Sequence, residues 1–356
     1  MAISQLSLTD FRNLKSTTLD FDRGFNLISG DNGSGKTSLL EAIYVLCQAQ
    51  SFRTHQIKQC INHDKSGFLL FGRFDGFKAG LARNQHKLEI RIDGETIKRR
   101  SELVKKSPIQ VVNADSFVLI EGSPGKRRAF LDWCLFHVEP AYAENWRRFQ
   151  HALKQRNRLL KTKQDLKQLD YWDQYLLEPS NELYVMRKQY SEKLQLVIRD
   201  CFEEILEGIP LAIDYQQGWP DDTDLPQSLE RSRERDIRLG FTGEGIHRDD
   251  LDLRSNGIRV GEVLSRGQSK RVCLVLLLAV LKLVSDASHS PVILLIDDLH
   301  SELDQHAQQL IYRQLLQMDL QLFISNIEQV VPAAIEAKEF KMFHVEHGII
   351  RPRIFS

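Results

Sequence analysis

A glycine-rich segment near the N-terminus restricts the possible folds of this chain more than any other feature. It matches the pattern G-x-x-x-x-G-K-[ST] and reads Gly30-Asp31-Asn32-Gly33-Ser34-Gly35-Lys36-Thr37. Such a segment binds phosphate between a strand and a helix, because its backbone N–H groups and the helix N-terminus must surround the anion. The apolar spacing on both sides predicts strand, loop and helix over residues 24–48.

Two side chains of this segment carry the predicted chemistry. We expect Lys36 to reach the β- and γ-phosphates of a nucleotide, and the Thr37 hydroxyl to bind Mg²⁺. The segment therefore predicts a site for ATP and Mg²⁺, in which Lys36 has a catalytic as well as a binding role. The alternative is an ordinary glycine-rich connection, against which the flanking strand and helix argue.

A second apolar segment, residues 291–296, ends in the paired acids Asp297 and Asp298. This pattern is typical of a Walker B strand, whose end places a carboxylate beside Mg²⁺. Asp297 is the predicted metal ligand. Asp298 points elsewhere because it is one residue further on, and we expect it to act as general base toward the attacking water. The alternative is a buried central strand whose acids only begin the next loop.

Two further segments suggest a second copy of the chain. Ser265-Arg266-Gly267-Gln268 begins a predicted helix with Ser265 as N-cap, a helix start that suits an anion. The Lys36 loop already forms one phosphate-binding site in each copy of the chain. A second helix start that suits an anion therefore suggests that it binds the γ-phosphate of a nucleotide held by another subunit. Ser301-Glu302-Leu303-Asp304 follows the paired acids, and the order of the four segments is that of ABC-type ATPase heads. In that interpretation Ser265, Gly267, Gln268 and Asp304 border the nucleotide at a dimer interface; a plain helix cap is the alternative.

The order of the predicted elements indicates an α/β fold. Alternating residues at the N-terminus and over residues 68–98 predict a flanking antiparallel β subdomain, with a hairpin at Asp93-Gly94. A long charged, helix-favouring stretch predicts an inserted helical lobe, or arm, that splits an ABC-type P-loop ATPase head in sequence. We divide the chain into the N-terminal half of the head at residues 1–124, the helical lobe at 125–208 and the C-terminal half of the head at 209–356.

Local patterns predict smaller features. Proline removes a helical hydrogen bond, so we expect a break in the helical lobe near Glu178-Pro179-Ser180. Asn256-Gly257 predicts a hairpin turn. Further along, the spacing predicts helices from about Ser265 and about Asp304, and a final strand over residues 341–345.

Composition excludes several classes of protein. Lys and Arg total 48, as do Asp and Glu, so no overall charge draws the chain to nucleic acid or an anionic membrane. The longest apolar run, residues 272–281, is far shorter than the ~20 residues that cross a bilayer. The N-terminus shows no secretion leader, so we expect a cytoplasmic protein without a membrane partner. The five cysteines form no C-x-x-C pair and are predicted to be small core residues.

One segment of the helical lobe is rich in basic residues. Its cations are Arg147, Arg148, Lys154, Arg156, Arg158, Lys161, Lys163 and Lys167, and its aromatic residues are Tyr142, Trp146 and Phe149. Basic residues on a helical arm can follow a phosphate backbone, so we expect DNA contacts from Arg147, Arg148, Lys154 and Arg158. Arg127 and Arg128 are further candidates. The alternative is a solvated helix face whose aromatic residues are core.

From end to end the chain resembles the RecF family, bacterial recombination-repair ATPases whose heads are similar to those of SMC-type proteins. Beside the ATPase segments already named, the resemblance rests on Leu8-Thr9-Asp10-Phe11-Arg12-Asn13, Ser51-Phe52-Arg53-Thr54, Gly122-Ser123-Pro124, Arg127-Arg128-Ala129-Phe130-Leu131-Asp132 and Gly245-Ile246-His247-Arg248-Asp249-Asp250. The family usually has proline where Ile246 stands, and a Thr-rich strand end where this chain has Ser325-Asn326.

The resemblance implies an ATP-dependent homodimer that binds DNA at single-strand gaps. It implies action with RecR and RecO to help RecA load, in DNA replication, recombinational repair and the SOS response to DNA damage. Weak, DNA-stimulated ATP hydrolysis would act as a dimerisation switch, and Arg12 would contact the nucleotide.

The alternative function is that of an ATPase subunit in another ABC- or SMC-type complex, either a structural clamp or a transport ATPase. About 100 residues between the two halves of the head leave no room for a long coiled coil. A transport subunit requires a membrane partner. A nuclease requires a further acidic metal cluster, which the sequence does not contain.

Overall fold

The structure, a computed structural model, describes residues 2–288, 291–298, 305–326 and 339–353. Its strands are β1 (Ile3–Thr9), β2 (Thr17–Asp20), β3 (Phe25–Ser29), β4 (Gly67–Phe74), β5 (Phe77–Asn84), β6 (Leu88–Ile92), β7 (Glu95–Thr96), β8 (Ile109–Val112), β9 (Ala212–Gln216), β10 (Asp250–Ser255), β11 (Ile258–Arg259), β12 (Val292–Asp297), β13 (Leu320–Asn326), β14 (Phe340–Glu346) and β15 (Ile349–Arg353). Its α-helices are α1 (Lys36–Gln48), α2 (Arg100–Lys106), α3 (Val118–Glu121), α4 (Pro124–Val138), α5 (Tyr142–Thr162), α6 (Leu169–Val197), α7 (Glu203–Leu206), α8 (Leu225–Leu239), α9 (Val260–Val263), α10 (Arg266–Ala287) and α11 (Gln305–Leu315). The chain divides into two compact units, Met1–Ser116 with Val284–Ser356, and Phe117–Leu283.

A mixed sheet in the order β15-β14-β3-β13-β12-β8 forms the centre of the first unit. Its strands from β14 to β8 are parallel, and the apolar β12 is buried on both faces, as is usual for a parallel sheet. Asp297 pairs with Ser325 in the ladder, and Asn326 pairs with Ser29. The carboxyl ends of β12, β13 and β3 therefore meet at one edge, where the glycine-rich loop begins.

The second sheet of this unit is antiparallel, in the order β2-β1-β4-β5-β6-β7. Helix α1 contacts both sheets, and its apolar residues join theirs in one hydrophobic core. The predicted hairpin turn is present, with φ of 50° at Asp93 and 89° at Gly94, which Gly and Asp tolerate better than most residues. This sheet is the flanking antiparallel β subdomain that the sequence predicted.

The second unit contains the long antiparallel helices α5 and α6 and a small sheet in the order β11-β10-β9. The predicted break at Pro179 is wrong, because α6 runs without interruption from Leu169 to Val197. A proline inside a helix costs about 3 kcal/mol. Burial of Leu176, Leu183 and Leu194 along the helix outweighs that cost.

The C-terminal part of the chain follows the predicted order with one correction. The turn at Asn256-Gly257 is present, with φ of 50° and 79°, and α10 begins directly after Ser265. The strand predicted over residues 341–345 is not the last one, because β15 pairs with it antiparallel. The sequence did not predict β15 because this strand contains Pro352 and two arginines, and proline is tolerated in a strand only at a sheet edge. The second predicted helix is described from Gln305, whereas Asp304 lies outside the described residues.

The cysteines behave as predicted, since Cys47, Cys60, Cys134 and Cys273 are buried and Cys201 is partly buried. Among the described residues, no helix is long and apolar enough to span a membrane. The functional division at residues 124 and 208 stays a prediction.

Candidate nucleotide-binding site

The glycine-rich loop connects β3 to α1, as its sequence requires, and needs glycine at its first position. Gly30 has a φ of 148°, and an added Cβ would lie 2.2 Å from the backbone oxygen of Val345. Gly33 and Gly35 also have positive φ, of 78° and 122°. Residues with side chains rarely adopt these angles, so the glycines allow the tight path that ends at the N-terminus of α1.

The Lys36 amine lies back across this loop. Its Nζ donates hydrogen bonds to the backbone oxygens of Gly30, at 2.6 Å, and Asp31, at 3.0 Å. Burial lowers the pKa of Lys36, although the carboxylates of Asp297, Asp298 and Asp31 act in the opposite direction. The ammonium is therefore held among acceptors at the mouth of the loop, where a phosphate would offer it stronger partners.

The two halves of the predicted metal site are in contact. The Thr37 hydroxyl donates to the Asp297 carboxylate, with distances of 3.1 and 2.9 Å to its two oxygens. Ser325 supports this arrangement from the neighbouring strand: its Oγ donates to Asp297 Oδ1 at 2.7 Å and accepts from the Asp298 N–H at 3.1 Å. Thr37 and Asp297 together offer hydroxyl and carboxylate oxygens, the ligand atoms that Mg²⁺ prefers.

A cavity of about 860 Å³ is lined by eight of the predicted site residues. Its lining includes Arg12, Asn32, Gly33, Gly35, Lys36, Thr37, Asp297 and Asp298. The cavity has the size of sites that enclose small ligands. Nearby, the Ser34 hydroxyl is buried and has no hydrogen-bond partner among the described residues, as expected of a loop built to receive further acceptors.

Sequence reasoning missed Glu41, which orders two arginines of this cavity. Its carboxylate is fully buried and accepts hydrogen bonds from Arg12, Arg53 and the Ser51 hydroxyl. Burial alone would raise the pKa of Glu41, but Arg12 and Ser51, followed by the charge of Arg53, outweigh it and hold the pKa below its ordinary value. Glu41 stands among the regularly spaced apolar residues of α1, and a charged residue at such a position is the sequence signal that could have predicted its role.

Sequence reasoning also missed Gly348, in the turn between β14 and β15. Its N–H donates to Ser34 O at 2.9 Å, and its carbonyl accepts from Lys15 N–H at 2.8 Å. An added Cβ would lie only 2.0 Å from Asn13 O. This turn holds the glycine-rich loop against the segment that carries Arg12, and it becomes visible only once β15 is recognised.

The Ser265 segment lies in the second unit and starts α10 with a reciprocal cap. Ser265 N–H donates to Gln268 Oε1 at 2.9 Å, and Gln268 N–H donates to Ser265 Oγ at 3.3 Å. Ser265, Gly267 and Gln268 are exposed. A Cβ added at Gly267 would meet nothing within 4 Å, so no neighbour among the described residues requires glycine there.

The arginines predicted to contact DNA fall into two groups. Arg127 donates two hydrogen bonds of 2.7 Å to Asp250, and Arg128 donates one of 2.5 Å to Asp249 O, so both hold the second unit together. On α5, Arg147 pairs with Glu144 and Arg148 with Glu178, while Lys154 and Arg158 are exposed.

Arg156 requires a correction, because it does not belong to the basic surface. It is fully buried and bound to Asp173 and Asp236, which helix spacing alone could not reveal. Of the aromatic residues in the same segment, Tyr142 and Phe149 are core, whereas Trp146 is partly buried.

Comparisons with known proteins agree with this geometry. The family model of the RecF/RecN/SMC N terminal domain matches residues 2–351. The DNA replication and repair protein RecF of Shewanella frigidimarina (strain NCIMB 400) is 37% identical over 356 residues, which cover 98% of this chain and 99% of that protein. The chain belongs to the RecF family. The RecF protein of Aliivibrio salmonicida (strain LFI1238) is also 37% identical, over 98% of this chain and 99% of its own length.

Solved structures place this RecF-family chain in the same fold. The structure of the recombination mediator protein RecF-ATP in the RecFOR pathway superposes with a TM-score of 0.87 at 26% identity, covering 99% of this chain and 98% of that one. An Smc head bound to the C-winged helix domain of ScpA has a TM-score of 0.61 at 15% identity, over 99% and 98%, and shows the fold alone. The predicted fold class, an α/β ABC-type ATPase head with an inserted helical lobe and a flanking antiparallel sheet, is confirmed.

Proposed function

We propose that this RecF-family chain is a weak, DNA-stimulated ATPase in which ATP binding drives homodimerisation on DNA at single-strand gaps. One observation carries the ATPase part: Thr37 at the end of the glycine-rich loop contacts Asp297 at the end of β12, in a cavity that also contains Lys36 and Arg12. The RecF-ATP neighbour supports ATP as the nucleotide.

The residues present fit Mg²⁺, with Thr37 and Asp297 as the side chains that would hold it. When bound, the ion neutralises charge on the phosphates. Lys36 contributes a further positive charge at the β- and γ-phosphates. Asp298 lies beside the same cavity and would accept the proton of the attacking water, while Ser325 orients both carboxyl-bearing residues.

The dimer follows from the Ser265 segment. Gly267 is the second residue of α10, where glycine favours the helix less than alanine would, by up to about 1 kcal/mol, and no neighbour in the described chain requires it. Close approach of a ligand held by another subunit would require glycine at this position. We therefore place Ser265, Gly267 and Gln268 of one copy over the nucleotide of the other, with Asp304 at the same interface.

The remaining roles follow from family membership. The cations of α5, chiefly the exposed Arg147, Lys154 and Arg158 and the partly buried Arg148, would follow the DNA backbone. The partners are RecR with RecO, and RecA is helped to load, in replication, recombinational repair and the SOS response. The site of action is the cytoplasm. Relatives matched along 98% of the chain favour this function over that of another ABC- or SMC-type subunit.

The test measures ATP turnover and sedimentation of the full chain, with and without gapped DNA. We expect ATP- and Mg²⁺-dependent dimers and turnover that rises with DNA. Lys36→Arg should abolish turnover, whereas Lys87→Arg, a surface lysine paired with Glu89, should match the unmodified chain. Single copies at saturating ATP and Mg²⁺, with or without DNA, would overturn the proposal.

A further inference from the structure

Four rings form a continuous group at the α5–α6 hairpin, which we name the aromatic cluster: Tyr171, Trp172 and Tyr175 of α6 and His151 of α5. Tyr171 and Tyr175 lie one turn apart with their ring centroids stacked at 6.2 Å. Trp172 lies against Tyr171 at 5.1 Å, Tyr175 at 5.7 Å and His151 at 5.6 Å.

Core packing does not explain the aromatic cluster. The side of α6 that faces the core of this unit carries Leu169, Asp173 and Leu176, all buried. Tyr171 and Tyr175 lie on another side and are 61% and 38% exposed. A group of large aromatic rings left in water is typical of an interaction site, because single exposed apolar residues are common but contiguous ones are not.

Four cations of α5 lie on the same side of the helix as His151. Arg147, Arg148 and Lys154 lie four or three residues from His151 and therefore share its side of the helix, with Arg158 one turn further. Among the described residues, no carboxylate lies within ion-pair distance of Lys154 or Arg158. The exposed pairs of Arg147 with Glu144 and Arg148 with Glu178 are weak enough to exchange for a phosphate.

We propose that the aromatic cluster and its cations bind the single-stranded part of a DNA gap, with bases stacked on Tyr171 and Tyr175 and phosphates along Lys154 and Arg158. This inference rests on the proposed function, which requires DNA binding, and adds the strand that is recognised. Base faces are covered inside a duplex, so only unpaired bases can stack on exposed rings. Cations alone would hold duplex and single strand alike.

The test compares two DNA ligands with the full chain in ATP and Mg²⁺. Fluorescence anisotropy measures affinity for an oligo(dT) of about 20 nucleotides and for a blunt duplex of about the same length. For the double variant Tyr171→Ala, Tyr175→Ala we expect a loss of about tenfold or more on oligo(dT) and less than about twofold on the duplex. Lys154→Ala with Arg158→Ala should weaken both ligands.

A matched control lies on the same helix. Val185 is 47% exposed on α6 outside the cluster, so Val185→Ala should leave both affinities unchanged. Thermal melting of each variant verifies folding. In the unmodified chain oligo(dT) should quench tryptophan fluorescence, and Trp172→Phe should remove most of that change, because the Trp172 ring lies against both Tyr171 and Tyr175.

The outcomes separate the inference from the function on which it rests. Equal losses on both ligands in the tyrosine variant, or no loss on either, would overturn the stacking site while DNA binding stands. Loss of RecR binding with unchanged oligo(dT) affinity would also overturn it, since the cluster would then be a protein-docking surface. Failure of the unmodified chain to bind either ligand would overturn the proposed function itself.

Discussion

Glu41 of α1 accepts two hydrogen bonds from Arg12, from Nε at 2.9 Å and Nη2 at 2.6 Å, although two strands, β2 and β3, and the whole glycine-rich segment separate the two residues in the chain. The carboxylate has no exposed surface, whereas the Arg12 side chain keeps 21% of its own. The buried Glu41 carboxylate thus holds Arg12 in place, and Arg12 lines the cavity that we propose binds the nucleotide.

Glu41→Gln should lower stability and weaken ATP binding together. Removing one charge of a buried pair leaves Arg12 poorly compensated, and we expect a loss of about 3 kcal/mol in the free energy of unfolding at pH 7. Urea unfolding and nucleotide titration measure the two effects. Glu95→Gln, at an exposed strand position, is the control and should change neither.

The same pair predicts a pH dependence. The folded chain holds the pKa of Glu41 below its ordinary value of 4.5, so the ionised carboxylate stabilises the fold above that value. This contribution is lost as the pH falls through the lower, folded pKa. The stability difference between the unmodified chain and Glu41→Gln should therefore persist at neutral pH and shrink in acid; a difference that is independent of pH would contradict the assignment.

Gly267→Ala should have opposite effects on the single chain and on the dimer. Alanine favours a helix over glycine by about 1 kcal/mol, and a Cβ here meets no atom within 4 Å, so thermal stability should rise. Sedimentation with ATP should show fewer dimers, because the added methyl group would lie in the interface. Gly125→Ala, an exposed helical position near the start of α4, serves as the control; equal dimerisation of both variants would refute the interface.

Ser325→Ala should slow hydrolysis more than it weakens binding. The hydroxyl connects Asp297 Oδ1 to the Asp298 N–H, so its removal frees the two residues that we propose hold the metal ion and the attacking water. Losing a hydrogen bond of this kind behind a metal ligand typically costs about 10- to 100-fold. We expect kcat to fall by about tenfold with KM for ATP within about threefold. A change confined to KM would argue against this role.

Gly348→Ala should damage the nucleotide site from a distance. The φ of 76° is strained for alanine, and the Cβ would lie 2.0 Å from Asn13 O. Gly76 has a similar φ of 92° with nothing within 4 Å, so Gly76→Ala isolates the backbone strain, about 1 kcal/mol. Unfolding should show a larger loss for Gly348→Ala, and ATP affinity should fall in that variant alone. Equal behaviour of the two would mean that the contact with Asn13 is unimportant.

Several features of the site could be predicted from sequence because neighbouring residues determine them. The glycine-rich loop, its strand and its helix form one continuous segment, and glycine spacing with apolar periodicity is enough to define it. Asp297 and Asp298 could be placed for the same reason, since acids at the end of an apolar strand must emerge at the edge of a parallel sheet. The hairpins at Asp93-Gly94 and Asn256-Gly257 depend only on two residues with positive φ.

Other features depended on packing between segments that are distant in the chain. Whether Arg156 meets DNA or Asp236 is decided by which helix lies against α5, and helix periodicity alone carries no such information. Pro179 stays within α6 because leucines along the helix are buried. Position 348 requires glycine because an added Cβ would lie 2.0 Å from Asn13 O. The sequence by itself thus determined the phosphate loop, the acids and the fold class, which are local chemistry. Only the tertiary structure decided which charges are buried as structural pairs and which remain on the surface, because that energy depends on long-range contacts.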